Sequence, residues 1–129
     1  MRISRASLRV LAGYAQTFAP HGPIGRWQGG SVITALARLN GIPVGVIAND
    51  PKVQGGAMTI QAAYKMERHV KLCSLFGLPV VNFVDQPGNQ TGLEAELGGT
   101  LLGATRVGEA LNECRSPWVS ILIRRCFGM

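Results

Sequence analysis

The run from Ser31 to Asn49, SVITALARLNGIPVGVIAN, followed by Asp50-Pro-Lys-Val-Gln-Gly-Gly-Ala57, constrains this chain more than any other feature. Val32, Ile33 and Thr34 open a β-rich segment, Asn40-Gly41 is a strong signal for a two-residue hairpin, and Val44, Val46 and Ile47 supply the return strand. Pro43 cannot donate to a ladder, so it belongs at an edge or at the start of its strand. Beyond the glycine pair, Met58 to Phe76 contains neither Pro nor Gly. Its apolar positions Ala62, Met66, Val70, Cys73 and Phe76 recur at helical spacing, which predicts one buried stripe with Lys65, Arg68 and Lys71 facing outward. Gly77 stands where a C-terminal cap belongs. Two apolar strands therefore run into a glycine pair at a helix start, a place where backbone N–H groups can receive an anion.

The rest of the chain continues in the same alternating style. Pro79 to Phe83 reads as a buried strand ending at Asp85-Gln-Pro-Gly88, where the Pro-Gly pair forces a turn. Thr91-Gly-Leu-Glu-Ala-Glu96 opens a second helix, which Gly98, Gly99, Gly103 and Gly108 should interrupt. After Ser116-Pro117, a last strand from Trp118 to Ile123 leads into Arg124-Arg-Cys-Phe-Gly128. The expected order is β-β-α-β-α-β in an α/β class. Val32, Ile33, Val46, Ile47, Val80, Val81, Phe83, Val119, Ile121 and Ile123 are expected to pack against Met66, Val70, Cys73 and Phe76. Residues 1–23 differ: Arg2, Arg5 and Arg9 stand among serines and apolar residues with no acid before Asp50, which suits a disordered basic leader or a targeting peptide.

At 129 residues the chain has room for one domain with a genuine core. A formal charge of +6 favours anionic partners, but the basic residues are scattered rather than interleaved with aromatics, which argues against nucleic acid. Cys73, Cys114 and Cys126 are odd in number and widely spaced, so neither a disulfide framework nor a metal site is indicated, and reduced thiols are expected. Apolar runs reach only strand length, so no membrane span is expected; the reduced thiols suit a cytoplasmic location, and the Arg-rich start, read as a targeting peptide, a mitochondrial one.

The residues offer no nucleophile constellation. His21 lies in a turn-rich stretch, His69 lies beside the helical stripe as a satisfied or surface residue, and Glu94 and Glu96 point to different sides of their helix. What remains is backbone chemistry: Gly55-Gly56-Ala57 before a helix, and Gly128 after a strand, can present N–H groups without an obstructing Cβ. On residues alone an enzyme, an interaction module and a small basic binder all stay open.

Three segments carry a family resemblance: Ser31 to Ala57, Phe83-Val-Asp-Gln-Pro-Gly88, and Trp118 to Gly128. In order and spacing they resemble the carboxyltransferase (beta) subunits of biotin-dependent acyl-CoA carboxylases, at the first half of that family's C-terminal, crotonase-like domain. The resemblance implies a partial crotonase-like (ClpP/crotonase) superhelical fold over residues 24–129. It further implies transfer of a carboxylate from carboxybiotin, held on a biotin carboxyl-carrier protein, to an acyl-CoA. Gly128 and Met129 would then begin an oxyanion loop, and Gly55, Gly56, Ala57, Pro87 and Gly88 would contact substrate. The implied partners are that carrier, acyl-CoA, and either further copies of the chain or a full-length carboxyltransferase. A decarboxylase running the same chemistry in reverse, and a catalytically dead module docking on a full-length homologue, are the alternatives.

Overall fold

The structure is a computed structural model and describes residues 15–19 and 28–127. Five strands form one sheet in the order β1 (Ala15–Ala19), β2 (Val32–Leu39), β3 (Ile42–Asn49), β4 (Val80–Gln86) and β5 (Trp118–Cys126). β1, β2 and β3 run antiparallel, whereas β3, β4 and β5 run parallel and are joined by helical crossovers. The crossovers are α1 (Ile60–Leu75) and the pair α2 (Leu93–Leu97) and α3 (Thr100–Glu113). Short turns suffice for antiparallel neighbours, while parallel neighbours need a long return, so the chain's spacing of turns and helices sets this topology. Within the span read as a leader, β1 pairs with β2; its other residues lie outside the described part.

The hairpin forms as its sequence dictates. Leu39 pairs with Ile42, and Asn40 and Gly41 take φ of 49° and 83°, the left-handed pair that a two-residue turn of this hand requires. Pro43 is the second residue of β3, two residues before pairing with β4 begins at Gly45, so its missing N–H interrupts nothing on that side.

Helix α1 is closed at both ends. The Thr59 hydroxyl accepts from the Ala62 N–H at 3.1 Å. At the other end the Gly77 N–H reaches the Ser74 carbonyl and the Leu78 N–H reaches the Cys73 carbonyl, the double bond of a Schellman cap, with Gly77 at φ 63°. Because the chain turns away there, Phe76 is not the last member of the buried stripe; it is 66% exposed. Ala62, Met66, Val70 and Cys73 do lie in the core.

Lys65 is a second correction. It is buried, and its ammonium donates to the carbonyls of Val32 at 2.8 Å and Gly29 at 3.2 Å, pinning the start of β2 to the helix. Burial lowers its pKa from the usual lysine value. The buried surface of α1 is wider than one stripe because α3 packs on its flank. There Gly103 faces Ala63, with only 3.0 Å between that methyl and the place where a Cβ of Gly103 would stand. Glu67, also buried, bonds Lys71 at 2.7 Å and Arg106 at 3.0 Å. Gly103 and Gly108 thus lie inside α3 without breaking it; the break falls at Gly98-Gly99, between the two helices.

The strands do not all pack on the helices. Successive strand side chains alternate between faces, and the structure follows that rule with two clusters. Val32, Ile47 and Val80 join the α1 stripe, whereas Val46 and Phe83, with Ile33, Val81 and Ile123, belong to a cluster on the opposite face. Val119 and Ile121, expected in the core, are exposed on β5.

Candidate functional site

In parallel α/β sheets, loops at the carboxyl ends of the strands meet, and here three of them do. After β3 the chain makes a 3-10 turn, Gln54–Gly56, and not the first turn of α1, which starts after Thr59. Gly55 and Gly56 have φ of 65° and 83°. The Gly56 N–H bonds the Val53 carbonyl and the Ala57 N–H bonds the Gln54 carbonyl. Those two amides are therefore engaged within the turn, and the expected anion site at a helix start is replaced by a closed turn set before it. Gly55 is open: a Cβ built there meets nothing within 4 Å.

The turn is stitched to the loop after β4. The Met58 N–H bonds the Gly88 carbonyl at 3.0 Å, and the Gln90 N–H bonds the Met58 carbonyl at 2.9 Å. Pro87 and Gly88 consequently lie beside the residues that follow the glycine turn. A cleft of about 500 Å³ adjoins this junction, bordered by Gly29, Gly30, Gln54, Thr59, Gln61 and Gln90. The third loop leaves β5 at Phe127, whose N–H bonds the Gln86 carbonyl at 3.3 Å. Gly128 and Met129 follow immediately and lie outside the described residues.

A buried carboxylate binds the three loops together. Asp85, 0% exposed, accepts from Arg124 through Nε at 3.3 Å and Nη2 at 3.1 Å, and from Arg125 Nε at 3.1 Å. Arg125 also donates through Nη2 to the Gly55 carbonyl. Consecutive strand residues normally point to opposite faces, but pairing between β4 and β5 shifts between Val84 and Gln86, and this irregularity aims both guanidiniums at one acceptor. Asn49 completes the lattice: its Oδ1 accepts from the Asp85 N–H at 3.2 Å, and its Nδ2 donates to the Gly56 carbonyl at 3.5 Å. Burial alone would raise the Asp85 pKa, yet the hydrogen bonds and charges of the two arginines hold it below the usual carboxylate range.

His69 takes no part. It sits under the sheet, where a Cβ on Gly45 would lie 3.2 Å from its Nε2, and neither ring nitrogen has a hydrogen-bond partner. It is thus neither a surface residue nor a satisfied one. Burial pushes its pKa down to about 4 and keeps it neutral. Because its folded pKa lies below the usual 6.5, the folded state binds fewer protons, so stability is complete above about pH 6.5 and falls as the pH drops toward 4. The expected loss from this group is about 3 kcal/mol. Urea unfolding from pH 7 to pH 4 should show it in the wild type and not in His69→Leu; equal slopes would refute the assignment. Glu94 and Glu96 stand exposed in the first turn of α2, and His21 is outside the described residues.

Residues 25–129 match the carboxyl transferase domain family. Over 98 residues the chain is 38% identical to the methylmalonyl-CoA decarboxylase subunit alpha of Veillonella parvula, covering 76% of this chain and 19% of that protein. Over 121 residues it is 33% identical to the methylmalonyl-CoA carboxyltransferase 12S subunit of Propionibacterium freudenreichii subsp. shermanii, covering 94% and 20% respectively. The fold resembles the transcarboxylase 12S crystal structure with a TM-score of 0.72 and 35% identity, over 74% of this chain and 19% of that one. The chain thus spans about a fifth of the length of the relatives it matches.

Proposed function

Because the chain belongs to the carboxyl transferase domain family, with the partial crotonase-like α/β fold of its structural neighbours, we propose that it contributes the biotin-facing part of a carboxyltransferase site. Its reaction moves a carboxylate between carboxybiotin, borne by a biotin carboxyl-carrier protein, and an acyl-CoA. The observation that carries this reading is the junction of separate loops: the glycine turn and Gly88 are hydrogen-bonded neighbours through Met58, and Arg125 ties Gly55 to the end of β5.

Bound carboxybiotin supplies the carboxyl group; the chain supplies shape and donors. Gly55, with no side chain and open space above it, permits close approach of a flat ring. Gly56 and Ala57 hold that turn through their own internal bonds, and Pro87 and Gly88 form the facing wall. The N–H groups of Gly128 and Met129 are the proposed oxyanion donors, each worth about 3 kcal/mol at the transition state. The Asp85 lattice holds the preceding strand end, so these donors start from a fixed anchor. The same donors serve carboxylation and decarboxylation, since both directions pass through an enolate-like oxygen. The partners proposed are the carrier protein and further carboxyltransferase polypeptide.

Alone, the chain should transfer no carboxylate, because the reaction needs both reactants held in register. The direct test is a chimera in which residues 25–129 replace the matching stretch of the Propionibacterium 12S subunit. We expect measurable transfer from the chimera and none from the isolated chain with carboxybiotin and propionyl-CoA. A folded chimera devoid of transfer, or turnover by the isolated chain, would overturn the reading.

A further inference from the structure

Three consecutive residues after β3 share the left-handed region of backbone space. Gln54, Gly55 and Gly56 have φ of 48°, 65° and 83°, between Val53 at −105° and Ala57 at −63°. Glycine occupies this region freely, but the Cβ of Gln54 disfavours it. The two bonds inside the turn, from the Gly56 N–H to the Val53 carbonyl and from the Ala57 N–H to the Gln54 carbonyl, do not explain the choice. Each spans three residues, and a right-handed turn closes with the same bond. The hand of the turn is therefore selected from outside it, since strained backbone persists only where its surroundings over-determine it.

We propose that Arg125 is the positioning residue that holds the Gln54–Gly56 turn left-handed and so shapes the wall of the cleft that Gln54 borders; its consequence for catalysis rests on the carboxyltransferase reading above. The carbonyls of Gly55 and Gly56 both accept from side chains outside the turn, from Arg125 Nη2 and Asn49 Nδ2. Reversing the hand would redirect both carbonyls. The Asn49 bond is long, at 3.5 Å, whereas the Arg125 bond comes from a charged donor and is the stronger restraint. The two arginines also differ in what they hold. Arg124 places Nε and Nη2 on the two oxygens of Asp85, whereas Arg125 gives Asp85 only its Nε and keeps Nη2 for Gly55. In a planar guanidinium those two nitrogens have a fixed separation, so Arg125 sets the distance from a buried carboxylate to the turn. A lysine would keep the charge and lose that fork.

The first test needs no activity. Amide hydrogen exchange at Gly56 and Ala57, with the intraresidue HN–Hα NOE of Gln54, reports the turn in the isolated chain. Arg125→Lys should speed exchange at both amides about tenfold or more and weaken the NOE, whereas Arg124→Lys should leave both near wild type. Asparagine tolerates positive φ better than glutamine, so adding Gln54→Asn to Arg125→Lys should restore protection. Simple loss of an ion pair would not be repaired in that way. If Arg125→Lys does not fold, Arg125→Gln takes its place, because Arg124 still pairs with Asp85. Wild-type exchange in the Arg125 variant, or no rescue by Gln54→Asn, would overturn the proposal. In the chimeric 12S subunit, Arg125→Lys should raise the KM for carboxybiotin about fivefold, and Gln54→Asn should bring it back. An unchanged KM would overturn the bearing of the turn on the cleft. A chimera without transfer would instead overturn the carboxyltransferase reading, and the exchange result would still decide the role of Arg125.

Discussion

Asp85→Ala is expected to lower folding stability by about 2 to 4 kcal/mol, toward the lower part of the range for breaking a buried ion pair. The carboxylate is fully buried and receives three bonds from two guanidiniums, so its removal deprives β4 and β5 of their shared anchor. Arg124, with 51% of its side chain exposed, can rehydrate. Arg125, at 27%, cannot do so fully, which keeps the cost substantial. Asp85→Asn preserves shape and one acceptor and should fall between the two. The pH dependence separates this group from His69: the Asp85 contribution is present above the normal carboxyl range near 3.8 and is lost as pH falls below it, whereas the His69 loss occurs between about 6.5 and 4. Urea midpoints at pH 7 and at successively lower pH measure both. An Asp85→Ala protein as stable as wild type would show that the lattice is ornamental.

The difference between what could and could not be read from the sequence has a physical basis. Asn40-Gly41 and Gly77 act through neighbours a few residues away, so their types alone imply a turn and a C-terminal cap, whereas the start of α1 was expected at the glycine pair and falls instead after the Thr59 cap. The loops at 55–57 and 87–88 were legible because glycine and proline punctuate strand ends. Lys65, His69 and Asp85 were not, since each is decided by partners far along the chain. Lys65 looks solvent-facing by helical spacing until the carbonyl of Val32, 33 residues earlier, comes within 2.8 Å. Asp85 reads as part of a turn until an irregularity in β5 delivers two arginines from 39 and 40 positions away. A period-2 pattern gives two faces but not which one meets a helix, and so the expected single core appears as two clusters.

Gly56→Val should cost about 4 kcal/mol, far more than a surface change. A Cβ at Gly56 would stand 2.7 Å from the backbone carbonyl oxygen of Asp85, an atom fixed in a strand, and 3.6 Å from the Asn49 side chain. The residue also has φ of 83°, where a β-branched side chain adds about 1 to 3 kcal/mol of strain to an overpacking cost of similar size. Gly55→Ala provides the internal contrast: its φ is 65° but the space is empty, so it should cost only about 1 kcal/mol. Arg68→Ala, on the exposed side of α1, should stay within about 0.5 kcal/mol. Lys65 cannot serve as that control because its ammonium is buried on backbone carbonyls. In the chimeric 12S subunit, Gly56→Val should reduce transfer more than stability alone accounts for, since displacing Asp85 also displaces the strand end from which Gly128 and Met129 follow. Guanidinium or urea unfolding of the isolated chain, alongside transfer rates of the chimera, separates the two effects. If Gly56→Val unfolded no more easily than Arg68→Ala, the close contact between the glycine turn and β4 could not be what holds the loops together.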